Sequence, residues 1–252
     1  MTHIRRLVSS IAIAVAALVM SAGLSAQKTY LVCVGLGNYD NNEKPLPCSK
    51  GDATSIARFF KNYNNSEVFM LLDANATRDH ILRVLKNQFS KSGPKDEIIF
   101  AYSGHGFDGG ISCYDTKNAI WCTEIQDIMR SCKARRKVMF INSCHSGSFS
   151  KKKNDGKTHR NFRSNKSDVM LFMSSRANEL SWETGAMNNS FFFSRLLEAL
   201  RGAADRNSDN RVTARELFNY VSAGVQEDMN GTQHPQMFGN FPDDMVVVYC
   251  QD

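Results

Sequence analysis

The chain has no CxxC pair and no cysteine–histidine cluster at zinc-ligand spacing, although it holds seven cysteines. That disfavours a thiol redox motif and a structural zinc module. Beyond residue 26 it has no apolar run of the roughly 20 residues that a bilayer span needs, and no internal repeat or low-complexity tract. It also lacks a strong charge of one sign. The net charge of +6 falls to +4 without Arg5 and Arg6, and the remaining excess is concentrated in one loop, 151–167. A nucleic-acid-binding face would spread that charge along one surface, so no nucleic-acid partner is expected.

The first 26 residues read as a secretory signal, with an uncleaved membrane anchor as the alternative. Arg5 and Arg6 precede the apolar run Ile11–Met20, and small residues follow up to Ala26. Cleavage before Gln27 would leave one exported domain, 27–252, periplasmic or extracellular and with no membrane contact after signal removal. An odd number of cysteines suits one free thiol in an oxidising compartment. Cys33 lies inside an apolar strand and is expected to be buried. Cys113 and Cys122 flank a hairpin and are candidates for a bridge.

Apolar periodicity gives alternating strands and helices. Strands are expected at Tyr30–Leu36, Glu67–Leu72, Glu97–Ser103, Lys137–Asn142, Val169–Met173 and Met245–Tyr249. Helices are expected at Ala53–Tyr63, Arg78–Phe89, Thr123–Cys132, Phe191–Leu200 and Arg215–Val225. Gly109–Trp121 reads as a small hairpin, and Thr-Glu-Ile-Gln at 123–126 as a capping box. The fold class is α/β, with a mostly parallel central sheet flanked by helices in a single domain.

Two of these strands end in loops that carry chemistry. Glu97–Ser103 runs into Gly104-His105-Gly106, and Lys137–Asn142 runs into Ser143-Cys144-His145-Ser146-Gly147. As neighbours in a parallel sheet, they would present His105 and Cys144 at its carboxyl edge, where open α/β sheets bind ligands. The two residues are 39 apart in sequence, enough for one crossover. Cysteine attack on a carbonyl needs a thiolate, a proton carrier and oxyanion donors. Cys144 is the candidate nucleophile and His105 the general acid/base. The backbone N–H groups of Gly106 and Cys144 are the candidate oxyanion hole. His145, adjacent to the nucleophile, is the weaker base.

Tyr-Ser-Gly-His-Gly at 102–106 and Asn-Ser-Cys-His-Ser-Gly at 142–147 resemble the His and Cys boxes of caspase-like cysteine peptidases, more closely those of the metacaspase and orthocaspase branch. The resemblance is clear from Tyr30 to about Glu183. It implies the caspase-haemoglobinase fold, a Cys–His dyad without a third catalytic residue, and endopeptidase action on polypeptide substrates. It also implies large-subunit-like (27–150) and small-subunit-like (168–252) segments joined by the basic loop 151–167, which is a candidate for self-cleavage. The Gln-Ala-Cys-Arg-Gly box of aspartate-cutting caspases is absent. Metacaspases, which cut after Arg or Lys, carry two acidic pocket residues. Asp52 in Cys48-Ser-Lys-Gly-Asp52 matches one, although it would also serve as a helix N-cap. The other position is Asn142, which keeps a hydrogen-bond acceptor but no charge. Ser174 and Ser175 follow a strand, as the substrate-binding edge does in the family, and would pair their backbone with an extended peptide. Glu183 would add negative charge.

The dyad chemistry requires no cofactor, but a calcium loop is conceivable at 205–216. Asp205, Asn207, Asp209, Thr213 and Glu216 fall at oxygen-ligand positions of an EF-hand-like loop, with Arg211 supplying backbone. Asn210 stands in for its glycine. The competing reading is a turn followed by a Thr213…Glu216 capping box. The favoured function is therefore an exported cysteine endopeptidase specific for Arg or Lys, and the alternative is a non-catalytic caspase-fold binding module.

Overall fold

The computed structural model describes residues 27–40, 43–63, 65–107, 109–143, 169–176, 179 and 188–250. The expected signal, Cys144, His145, the 151–167 loop and Glu183 lie outside the described residues.

In chain order the main elements are β1 (Thr29–Gly35), α1 (Ser49–Asn62), β2 (Ser66–Leu72), α2 (Arg78–Phe89), β3 (Glu97–Ser103), β4 (Gly106–Phe107), β5 (Gly110–Ile111), β6 (Ile120–Trp121), α3 (Cys122–Ser131), β7 (Arg136–Asn142), β8 (Met170–Met173), α4 (Phe191–Glu198), β9 (Arg211–Thr213), α5 (Ala214–Asp228), β10 (Gln236–Phe238) and β11 (Val246–Tyr249). Six strands form the central sheet in the order β10-β8-β7-β3-β1-β2. All pairings are parallel except that of β10, which runs antiparallel to β8.

Strands β1 and β3 are buried along their whole length because both faces of the sheet are covered. Successive side chains point into two different cores. Val32, Phe100 and Ile141 face one core, packed by Ile81, Leu85 and Phe89 of α2 and by Ile125 and Met129 of α3. Cys33, Ile99 and Phe140 face the other, packed by Ile56 and Phe60 of α1, Phe193 of α4 and Leu217 of α5. An unbroken apolar strand is thus two alternating apolar faces, each with its own helical layer.

Several expectations change. Helix α1 begins at Ser49, four residues before the expected Ala53, so Asp52 lies inside its first turn and is not its N-cap. The cap of α3 sits at Trp121, whose backbone N–H donates to the Glu124 carboxylate at 3.0 Å, and not at Thr123. The hairpin at 109–121 is part of a three-stranded antiparallel unit, β4-β5-β6. The final strand β11 leaves the central sheet and pairs antiparallel with β9. The edge place is taken by β10, three half-buried residues that periodicity does not reveal. Cys113 and Cys122 are buried free thiols and form no bridge.

At the amino end of β3, Glu97 is 1% exposed, 3.6 Å from the Arg136 guanidinium, and accepts from Thr29 Oγ1 at 3.4 Å. Burial pushes its carboxyl up to about 7, against the pull of Arg136. The folded protein therefore holds this proton more tightly than the unfolded chain, where an ordinary Glu titrates near 4.3. Glu97 stabilises the fold most below about pH 4, and that contribution is lost as pH rises through about 7. The loss is on the order of 3 kcal/mol by pH 8. The melting temperature is expected to fall by several degrees between pH 5 and pH 8. Glu97→Gln is expected to flatten that slope and to melt above the parent protein at pH 8. Parallel melting profiles for the two proteins would contradict this account.

Candidate active site

The site is built by strand register. Ser103 of β3 is paired with Asn142 of β7 and with Gly35 of β1, so three neighbouring parallel strands end at one level. Backbone bonds carry the alignment into the loops, with Gly104 N–H donating to Asn142 O at 3.1 Å and Leu36 N–H to Ser103 O at 2.9 Å. In sequence, His105 is two residues past Ser103 and Cys144 two past Asn142. Adjacent strands lie about 4.8 Å apart.

His105 is held from every side. Its backbone N–H donates to Tyr39 Oη at 2.6 Å, and its carbonyl accepts from Tyr102 Oη at 2.7 Å and from Ser112 N–H at 3.0 Å. The two tyrosine hydroxyls reach it because Gly104 has no side chain; a Cβ there would lie 2.4 Å from Tyr102 Oη and 2.9 Å from Tyr39 Oη. The imidazole is tilted by 35° against the Tyr39 ring at 5.0 Å. Its Nε2 lies 2.8 Å from the Lys44 carbonyl. A carbonyl only accepts, so Nε2 carries the proton and, in the neutral ring, Nδ1 is the basic atom. The Lys44 carbonyl and Tyr39 act as orienting groups that sequence reasoning missed. Neither carries a motif, and both come from the β1–α1 connection, more than 60 residues earlier.

Gly106 opens the short strand β4. It pairs with Ile111, and the bond from Ser112 N–H to His105 O makes that pair the non-hydrogen-bonded kind. The Gly106 N–H therefore points away from β5 and takes no part in the ladder.

Beside these loops lies a buried polar cluster centred on Asp52, which is fully buried. Its Oδ2 accepts from Ser103 Oγ at 2.7 Å, Ser190 Oγ at 2.8 Å and Asn142 Nδ2 at 3.2 Å. Its Oδ1 accepts from Ser190 N–H at 2.9 Å and Asn189 Nδ2 at 3.1 Å. Burial still raises its carboxyl to about 6, with these donors pulling the other way. The 188–190 segment reaches it because residue 51 is glycine; a Cβ there would lie 1.7 Å from Asn188 O. Asn142 is 6% exposed. Its amide donates to Asp52 and to Ser103 Oγ, while its Oδ1 has no hydrogen-bond partner among the described residues. A buried carbonyl oxygen left this way is uncommon in folded proteins and calls for an explanation.

Asp52, Asn142, His105, Gly106, Ser174 and Ser175 thus share one edge of the sheet. Ser174, however, is committed within the protein. It is fully buried, its N–H donates to Ile141 O, and its carbonyl accepts from Gln233 Nε2 at 2.9 Å. The 205–216 residues lie elsewhere, at β9 and the start of α5. There, Asp205 accepts from Asp209 N–H and Asn210 N–H, Asn207 from Asp209 N–H, and Asp209 from Arg211 N–H. Asn210 adopts the left-handed conformation, with φ of 61°. Glu216 closes the capping box with Thr213, donating N–H to Oγ1 and accepting from Thr213 N–H. Among the described residues no group of three His, Cys, Asp or Glu side chains is arranged to hold a metal.

Five of the described thiols are held in the protonated form by burial. Burial pushes Cys33 and Cys113 up to about 12 and Cys122 well above the ordinary thiol value, and it also raises Cys132 and Cys250.

No curated protein matches this chain. Among solved structures, a caspase-1 from Spodoptera frugiperda superimposes with a TM-score of 0.67 at 15% identity, covering 89% of this chain and 91% of that one. A protein of Geobacter sulfurreducens gives 0.65 at 18% identity, covering 86% and 95%. At such identities the likeness is one of fold. The family model described as caspase domain matches residues 28–246. With that match over most of its length, the chain belongs to the caspase-domain peptidase family.

Proposed function

We propose that the protein is a cysteine endopeptidase of the metacaspase-like kind, with a Cys144–His105 dyad and a preference for Arg or Lys before the scissile bond. The observation that carries this reading is His105, held by two tyrosines and the Lys44 carbonyl with Nδ1 left as its base. It stands on a strand end in register with the strand that leads to Cys144.

In the proposed reaction Nδ1 of His105 takes the thiol proton and the Cys144 sulfur attacks the peptide carbonyl. The oxyanion accepts hydrogen bonds from Gly106 N–H and Cys144 N–H, each worth on the order of 3 kcal/mol in the transition state. The imidazolium then returns its proton to the leaving amine, and water hydrolyses the thioester. No cofactor enters these steps.

For specificity, the Asp52 carboxylate is fully occupied by donors and serves as a buried charge. Asn142 Oδ1 is the oxygen that accepts directly from a substrate guanidinium or ammonium group. Glu183 adds negative charge from outside the described residues. We assign pairing with the extended substrate to the Ser174–Ser175 segment, both of whose side chains are buried at the end of β8. The leader at 1–26 would export the enzyme to the periplasm or beyond.

The test is turnover of fluorogenic peptides ending in Arg, Lys or Asp. Turnover of the Arg and Lys peptides is expected. Preferential turnover of the Asp peptide would refute the roles given to Asp52 and Asn142. No turnover of any peptide by folded protein would favour a binding module of the same fold.

A further inference from the structure

The second half of α1, remote from the strand ends that carry the candidate active site, forms one wall of an open cleft of about 260 Å³. Arg58 and Phe59 of α1 and Tyr63 just past its end line it together with Leu200, Arg201 and Tyr249. The Phe59 and Tyr63 rings are stacked at 5.9 Å and 23°. Tyr63 is fixed in place, because its Oη accepts from Tyr249 N–H at 2.9 Å. That bond leaves its own hydroxyl proton free to donate, and burial raises its titration so that it keeps that proton. Tyr249 is 49% exposed, which leaves much of its ring open to solvent.

The polar part of the cleft has one sign. No acidic residue lines it. Arg58 and Arg201 are exposed, and neither has an ion-pair or hydrogen-bond partner among the described residues. Ser55, also in the wall, spends its hydroxyl proton on Asn189 Oδ1 at 3.2 Å. The donors available to a ligand are therefore the two guanidinium groups, the Asn62 amide and the Tyr63 hydroxyl. Paired guanidinium groups recognise phosphate or carboxylate, and they favour aromatic faces. The volume lies just below the roughly 300–1,000 Å³ of ordinary ligand pockets and suits a single ring.

We propose that this cleft is a binding site for a small aromatic anion, a single ring bearing a phosphate or a carboxylate. The ring lies against Phe59, Tyr63 and Tyr249, and the charge is shared by Arg58 and Arg201. None of these residues belongs to the proposed peptidase machinery, so the site stands or falls independently of peptide cleavage.

Calorimetric titration of the whole protein with phenyl phosphate and with benzoate tests the proposal, with phenol for the ring and inorganic phosphate or acetate for the anion as the separate halves of each ligand. One of the two aromatic anions is expected to bind at least tenfold more tightly than either half. Arg58→Ala and Arg201→Ala are each expected to weaken that binding about tenfold, with melting temperatures unchanged because both side chains are exposed and unpaired. Phe59→Leu is expected to weaken it several-fold. Aromatic anions that bind no better than inorganic phosphate would overturn the proposal. So would an Arg58→Ala/Arg201→Ala double variant that binds as the parent does.

Discussion

His105→Ala is expected to lower kcat/KM for a basic peptide by on the order of 10⁴-fold or more, as Cys144→Ala should, with no change in melting temperature. The fold survives because the tyrosines grip the backbone of residue 105, not its imidazole. Tyr39 Oη takes the N–H, and Tyr102 Oη reaches the carbonyl. Alanine keeps both bonds and removes only the proton carrier. The double variant should be no worse than either single one, since nucleophile and base act as a unit. Lys44→Ala supplies the contrast. The structure uses the carbonyl of that residue and not its side chain, so this variant should keep nearly full activity. A His105→Ala protein within tenfold of the parent would remove His105 from the chemistry.

The second large effect is expected at Asp52. At an effective dielectric constant near 20 two unit charges about 4 Å apart interact by about 4 kcal/mol, and a charge set one side chain further back is expected to contribute on the order of 100-fold in kcat/KM. Asp52→Asn should cost roughly that for Arg and Lys peptides and far less for a peptide with a neutral residue at that position. The pH dependence follows from the raised carboxyl. With Asp52 titrating at about 6 in the free protein, its charge is present above that pH and absent below it. KM for an Arg peptide should therefore rise about tenfold per unit as pH falls below about 6, and level off above it. This limb should vanish in Asp52→Asn and be missing for the neutral peptide, which separates loss of charge from loss of fold. A pH-independent KM for the Arg peptide in the parent protein would contradict the assignment.

The sheet and the loop that carries His105 are legible in the sequence because strands buried on both faces are written as unbroken apolar runs. Glu97–Ser103 and Arg78–Phe89 have in the structure the limits that periodicity assigns them. What is illegible depends on distant contacts. Asn189 and Ser190 reach the Asp52 carboxylate from more than 130 residues away, and nothing local to either marks the meeting. Tyr39 and the Lys44 carbonyl orient His105 from a connection without a motif. The apolar run at 246–249 reads correctly as a strand, but its partner is β9, and periodicity does not name partners. Asp52 was placed among the pocket residues by resemblance alone; its burial and its five donors come from the structure. With both carboxylate oxygens occupied, the role proposed for Asp52 is that of a buried charge behind Asn142.

The most direct measurement of the central claim is covalent labelling by a peptidyl-arginine chloromethyl ketone, with the modified residue located by mass spectrometry. The account predicts stoichiometric alkylation of Cys144, lost in His105→Ala and slowed in Asp52→Asn. Labelling spread over other cysteines, or unchanged without His105, would contradict it.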